Sequence, residues 1–351
     1  MSQVHFVSFP AGSADTRVDH LVFNLVDPVA DTGSVSQLIS KSLEPLGSGD
    51  AALFNSDPLI DYRAQRPLMN FRNGHLVDMR REGIRLTHAS DIEGQKFLHL
   101  RGAEPDFHWD ALLADIMDVI EHYGVTSTYS FTAVAAPVPH TRPADMVVRQ
   151  TAEDDGRPVL QADFWFPAAF ADYVEYHLGE LGITHTNVAV RVPMYLAGHQ
   201  YSPGAAGALG LMSSISGLHF PLGDLEQEAA VEISALTEMI KQNDDLASLI
   251  ARFEQEYDAS GVAPGFVTAP RPELKVPSSD EIGRAAEQFL AGASNLGSGD
   301  EPNVFDPQGL LSRFERHRSK ASSDGNSNKS EPGKSWWQQR RGKHSSDPEE
   351  G

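Results

Sequence analysis

Pro139-His140-Thr141-Arg142-Pro143 is the densest run of chemistry-capable side chains in the sequence. Prolines at both ends restrict the backbone, so His140 and Arg142 would be held in one pose. A guanidinium fixed in this way can take a carboxylate or phosphate through two parallel hydrogen bonds. An imidazole beside it titrates near neutrality and suits acid–base work. Thr141 adds a hydroxyl between the two. The plainer alternative is a proline-shaped corner in which Arg142 satisfies internal carbonyls or an acidic neighbour.

Three other loops carry similar groups. Asp61-Tyr62-Arg63-Ala64-Gln65-Arg66-Pro67 puts Tyr62, Arg63 and Arg66 together. Tyr and Arg are favoured interface anchors, so this loop reads as a pocket wall or a subunit contact. It reads equally as an ordered connection whose arginines meet carboxylates. Arg101-Gly102-Ala103-Glu104-Pro105-Asp106 supplies Arg101. The third loop, Arg191-Val192-Pro193-Met194-Tyr195, runs on to His199-Gln200-Tyr201-Ser202-Pro203. Tyr195, His199 and Tyr201 there precede a stretch of small residues. A helix opening at that point would offer free N–H groups and a favourable dipole to an anion; ordinary capping is the competing reading.

Familiar catalytic signatures are missing. The sequence has no HExxH and no GxSxG. Gly333-Lys334-Ser335 ends like a phosphate-binding loop, but Asn328 stands where its first glycine is required. Gly204, Gly207 and Gly210 lack the dinucleotide spacing. The histidines form no metal set by spacing. Glu254 with Glu256, and Asp244 with Asp245, read as solvated helix faces. No catalytic residue, metal or cofactor is therefore assigned. Ser335-Trp336-Trp337-Gln338-Gln339-Arg340-Arg341 resembles a docking motif or a chance sequence.

The elements that must position these loops alternate between strand and helix. His20–Val26 reads as a buried strand, followed by a helix over Val35, Leu38, Ile39 and Leu43 and a short strand at 51–54. This β–loop–α–β unit normally builds a parallel sheet. Short strands are expected at 68–71, 76–79, 84–88 and 96–101, with Asn73-Gly74 marking a hairpin. Leu112, Leu113, Ile116, Val119 and Ile120 form one stripe of a helix over 109–123. Further strands are expected at 127–134, 146–149, 160–165 and 186–192, with helices at 170–181 and 204–216. The stretch 225–257 is amphipathic, and Asn243-Asp244-Asp245 would cap its second half and fold it into a hairpin. The expected fold is α/β, a three-layer mixed sheet with a C-terminal helical hairpin.

Domain limits follow from composition. Residues 1–17 form an N-terminal arm, 18–222 the α/β domain and 223–260 the helical hairpin. Prolines at 264, 270, 272 and 277 mark a linker over 261–318, with short helices expected at 280–290 and 307–317. Residues 319–351 are too polar to offset ordering entropy and read as a disordered tail.

The chain has 351 residues, mean hydropathy −0.33 and net charge −21. Residues 1–260 hold 16 basic and 36 acidic side chains, so the acidity belongs to the folded part. That sign disfavours nucleic acid and anionic lipid as partners. Without cysteine, disulfides, zinc ribbons and thiol nucleophiles are excluded. No signal peptide and no bilayer-spanning run is apparent, which makes the cytoplasm the expected location.

DYRAQRP at 61–67, RGAEPDFHW at 101–109, PVPHTRP at 137–143 and RVPMYLAGHQYSPGA at 191–205 resemble the actinobacterial branch of the proteasome assembly chaperone 2 family. The resemblance spans roughly residues 18–258. It implies a phosphorylase-like fold, similar to purine nucleoside phosphorylases, and homo-oligomers; the apolar surface of the small-residue helix and the amphipathic hairpin separately leads to an expected trimer. It also implies a non-catalytic binding or assembly role beside proteasome-related proteins. Some bacterial members carry a carboxylate–amine ligase label, but no ATP-grasp glycine-rich loop is visible in this sequence. The alternative is an enzyme acting on a small anionic metabolite, which requires His140, Arg142 and Arg101 to share a cleft.

Overall fold

HLVFNLV, apolar except for His20 and Asn24, forms a strand at the centre of a nine-stranded mixed sheet. The computed structural model describes residues 5–260 and 266–268, except 12, 14–15, 28–30, 152–159, 161 and 241–242. In chain order the elements begin with β1 (Val7–Ser8), β2 (His20–Val26), α1 (Val35–Leu43) and β3 (Gly47–Phe54). The hairpin strands β4 (Leu68–Arg72) and β5 (His75–Arg80) follow, then β6 (Arg85–Ser90), β7 (Lys96–Ala103) and α2 (Trp109–Tyr123). Next come β8 (Ser127–Ala136), β9 (Asp145–Gln150), α3 (Phe170–Glu180), β10 (Thr184–Pro193) and α4 (Ser202–Ser216). The described chain ends with α5 (Gly223–Ile240), α6 (Asp244–Ser260) and β11 (Phe266–Thr268).

The sheet order is β1-β3-β6-β7-β2-β8-β10-β9-β11. Its centre, β7-β2-β8-β10, is parallel, and the margins are antiparallel. The β2–α1–β3 unit keeps its two strands codirectional, as expected, yet β7 and β6 lie between them. Residues of β10 alternate between faces. Asn187 pairs in register with Arg149 of β9, whose guanidinium binds Asp172 and Glu175 of α3. Val190, of opposite parity, lies under Gly204 of α4. Helices thus cover both faces. Trp109 of α2 meets Phe170 and Tyr173 of α3 edge-on, which places α2 beside α3.

Two expectations are corrected. Residues 162–169 are not a strand, although Phe164, Trp165 and Phe166 have strand propensity. The edge of β9 that such a strand would need is taken by β11, which lies inside the expected linker. The aromatic side chains are left exposed, Trp165 completely. The expected helices at 280–290 and 307–317 and the tail lie outside the described residues.

The β4–β5 pair forms a separate two-stranded sheet. Asn73 and Gly74 both have positive φ, as a tight hairpin turn requires. Leu68, Met69, Phe71, Leu76, Val77 and Met79 are all exposed, so neither face of this hairpin is covered among the described residues.

Candidate functional site

Because β7, β2, β8 and β10 run in one direction, the loops at 101–106, 137–143 and 191–203 leave the sheet at a common end. Open α/β sheets bind ligands there. The loops do share that end, but Arg101, Arg142 and Arg191 are each paired with a carboxylate of the chain.

The His140 loop is clamped beneath α6. Asn243 Oδ1 accepts the Leu246 N–H at 3.0 Å and caps that helix as its sequence suggested. Leu246, Ile250 and Phe253 bury its inner face. Glu254 and Asp258, one turn apart, are thereby brought over the loop. Arg142 donates through Nε and Nη2 to Asp258 at 2.8 and 2.6 Å, and through Nη1 to Glu254 at 3.2 Å. These bonds raise the guanidinium's pKa and lower that of Asp258. Thr141 donates to Glu254, and Tyr257 Oη donates to the Pro143 carbonyl at 3.1 Å. Glu254, expected to face solvent, is in fact an internal partner, and Arg142 meets an acidic neighbour.

His140 is 3% exposed. Its amide donates to Tyr195 Oη at 2.8 Å, and its Nδ1 lies 2.7 Å from the same oxygen. With the phenol donating to Nδ1, the neutral ring carries its proton on Nε2. That nitrogen is buried and has no hydrogen-bond partner. Burial pushes the imidazole pKa down, against the charge of Glu254. The Tyr195 ring stacks on Phe253, at 6.4 Å between centroids.

Behind this loop, Arg191 donates to Asp145 Oδ2 at 2.5 Å, while the buried Asp145 Oδ1 has no partner. Burial holds the Asp145 pKa up in spite of Arg191. Tyr201 is buried at the start of α4, and its amide donates to the Gly33 carbonyl at 2.8 Å. Gly33 has φ +69°, and a Cβ there would come within 3.0 Å of Tyr201 and Val192. Burial raises the Tyr201 pKa, and Tyr195, Glu232, Asp145 and Tyr257 push the same way. The anion at the α4 N-terminus is the chain's own: Glu232 Oε2 accepts the Ser202 N–H at 2.9 Å. Glu232 Oε1 is buried without a partner. His199 is exposed beside this group.

The remaining candidates lie elsewhere. Arg101 donates to Glu44 at 2.9 Å. Tyr62 donates to Asp57 and accepts from Arg81, both at 2.9 Å. It lines a cleft of 310 Å³ with Asp50, Arg81 and Arg85. Arg63 and Arg66 are exposed, with no carboxylate partner among the described residues. The cleft contains none of His140, Arg142 and Arg101. The enzymatic alternative needed those three in one cleft; Arg142 is instead paired with Glu254 and Asp258 of α6, and Arg101 with Glu44.

The 61–67 loop is tied to the 101–106 loop. Asp106 Oδ2 accepts the Asp61 amide at 2.7 Å and Gln65 Nε2 at 3.2 Å. Next to it, Glu104 accepts the Phe170 N–H at 2.6 Å. Burial pushes the Glu104 carboxyl up to about 7; that hydrogen bond opposes the shift, while Asp27, Asp172 and Asp106 add to it.

Sequence spacing missed Asp145, Glu232 and Asp258, whose partners are far away along the chain. It also missed His5, Asp115 and Asp118, whose ligand atoms lie within 4.8 Å of one another. The i, i+3 spacing of the two aspartates was visible; the histidine 110 residues before Asp115 was not.

A family model described as the PAC2 family matches residues 25–240. No curated protein matches the chain. A solved protein of unknown function from Corynebacterium glutamicum is 25% identical, with TM-score 0.67, over 73% of this chain and 97% of that one. A Mycobacterium tuberculosis protein of unknown function is 28% identical, with TM-score 0.66, over 74% and 90%. A Mycobacterium tuberculosis proteasome-assembly chaperone homologue shares the fold at 19% identity and TM-score 0.58, over 66% and 99%.

Proposed function

The chain belongs to the PAC2 family, and from that premise we propose a non-catalytic, homo-oligomeric binding protein of the assembly-chaperone type, linked to the proteasome or to protein quality control. The observation that carries this reading is the contrast in what is left unpaired. The cations that would serve a reaction are closed on carboxylates, whereas the β4–β5 hairpin exposes apolar side chains on both faces. An isolated two-stranded hairpin is marginal in water, and an exposed apolar patch of this kind is characteristic of an interface.

Its occupant on this proposal is a second copy of the chain. Residues 61–85 hold six arginines against three acids, on a molecule whose first 260 residues are strongly acidic. Hairpin and body are therefore complementary in charge between copies, and a trimer is the expected assembly. The phosphorylase-like plan of the core belongs to the same proposal, supported by helices on both faces of a mixed sheet. No helix among the described residues is long and apolar enough to cross a membrane, which fits the proposed cytoplasmic location.

Native mass spectrometry of the full chain with proteasome α and β subunits from an actinobacterium tests the role. A complex containing both is expected. Turnover of a small anionic metabolite without such a complex would replace this reading with the enzymatic one. That second reading draws on three buried polar atoms without partners, His140 Nε2, Asp145 Oδ1 and Glu232 Oε1.

A further inference from the structure

We propose that His5, Asp115 and Asp118 form a zinc-class divalent cation site that ties the N-terminal segment to α2. The inference is independent of the assembly role. Asp115 and Asp118 stand three residues apart on α2, so both carboxylates project from one face. His5 comes from a different part of the chain and lies against both: its Nδ1 is 2.9 Å from Asp115 Oδ1 and 3.5 Å from Asp118 Oδ2. Ligands held about 2.0–2.1 Å from one zinc ion are separated by about 2.9–3.4 Å in octahedral or tetrahedral geometry. The 2.9 Å separation to Asp115 matches such an edge, and the 3.5 Å separation to Asp118 lies just beyond it. One imidazole nitrogen with carboxylate oxygens is a donor set that suits zinc and excludes the softer thiophilic ions.

The charge balance points the same way. The Asp115 side chain is wholly enclosed. No lysine or arginine among the described residues pairs with it, and Asp118 adds a second negative charge nearby. A buried carboxylate is costly without a cation. The second oxygen of Asp115 accepts the Phe6 N–H at 2.7 Å. That bond orients Oδ1 as an outer-shell contact orients a ligand. His5 and Asp118 are partly exposed, so water can complete the coordination. Val7–Ser8, one residue beyond the histidine, is the edge strand β1. Occupancy would therefore fasten the margin of the main sheet.

Zinc chloride titrated calorimetrically into the full, untagged chain should show a saturable site and raise Tm. His5→Ala and Asp118→Asn should each weaken that site at least tenfold and remove most of the Tm increase. Circular dichroism checks that both variants fold. Asp118→Asn replaces a partly exposed helix side chain by an isostere, so it reports even if His5→Ala frees the arm. Cobalt(II) absorption supplies a second readout, since loss of an inner ligand changes the d–d bands. No zinc uptake, or uptake undiminished in both variants, overturns the proposal.

Discussion

The loop at 137–143 and the hairpin at 68–80 are both rich in groups that could meet a partner, and the fold treats them in opposite ways. In the loop the polar groups are closed internally on α6: Arg142 lies on Asp258 and Glu254, Thr141 on Glu254, and the Pro143 carbonyl takes Tyr257. The hairpin has its backbone ladder and little else. Phe71 and Leu76 face each other across it and remain 68% and 65% exposed. Polar side chains find internal partners because an acidic chain offers many carboxylates. Six exposed apolar side chains of the hairpin find none among the described residues. Uncovered apolar area is thus a better guide to an external contact in this molecule than charge density.

The largest expected effect tests that contrast directly. Phe71→Asp combined with Leu76→Asp places two like charges opposite each other on the hairpin and removes its apolar centre. Light scattering should show the assembly collapse to monomers, while Tm of the monomer changes little because neither residue touches the core. An intact oligomer would mean that the aromatic segment at 164–166, or another surface, carries the contact.

Legibility in the sequence divides along similar lines. The helix over Trp109–Tyr123 was readable to the residue because its stripe of Leu112, Leu113, Ile116, Val119 and Ile120 faces one sheet. The hairpin was readable from Asn73-Gly74, and the break before α6 from Asn243, since turn and cap chemistry is local. Strand adjacency was not local. Nothing in residues 20–54 signals that β7 and β6 will lie between β2 and β3. Phe164–Phe166 has the right residues for a strand but joins no sheet, and the edge of β9 is taken by β11, which residue type cannot report. Thr141 and Arg142 find their carboxylates on α6 more than 110 positions later. The loop was legible as a special place, and its partner was not.

A second effect concerns the base on which the hairpin stands. Glu104 adjoins the tie between the 61–67 and 101–106 loops and accepts the first N–H of α3. Its ordinary pKa of 4.5 is pushed up to about 7. Below pH 4.5 both folded and unfolded chains hold the proton, and no penalty exists. Between 4.5 and about 7 only the unfolded chain releases it, so this group's contribution falls as pH rises. Above 7 the loss is complete, at about 3 kcal/mol or less. Glu104→Gln keeps an acceptor for Phe170 and removes the titration. Denaturant melts should find the variant more stable than the parent at pH 8 and equal to it near pH 4.5. A constant difference across that range would place the titration elsewhere.

The smallest effect decides what the clamp is. Arg142→Ala removes a bidentate pair whose members are partly exposed, so the loss is modest, about 2–4 °C in Tm. It should shrink as salt is raised, because exposed charges are screened. Arg142→Lys should recover little, since an ammonium cannot reproduce the two parallel bonds to Asp258. Asp258→Asn should lower Tm in the same direction, and the double variant should lose less than the sum of the two, because each single change already breaks the shared pair. That non-additivity is the signature of a clamp. A ligand site would behave differently: Tm would hold, inorganic phosphate or citrate would stabilise the parent and not Arg142→Ala, and Asp258→Asn would strengthen anion binding by freeing the guanidinium. Measuring the three variants with and without the anion therefore separates a loop that holds α6 down from a loop that α6 keeps closed over a cation.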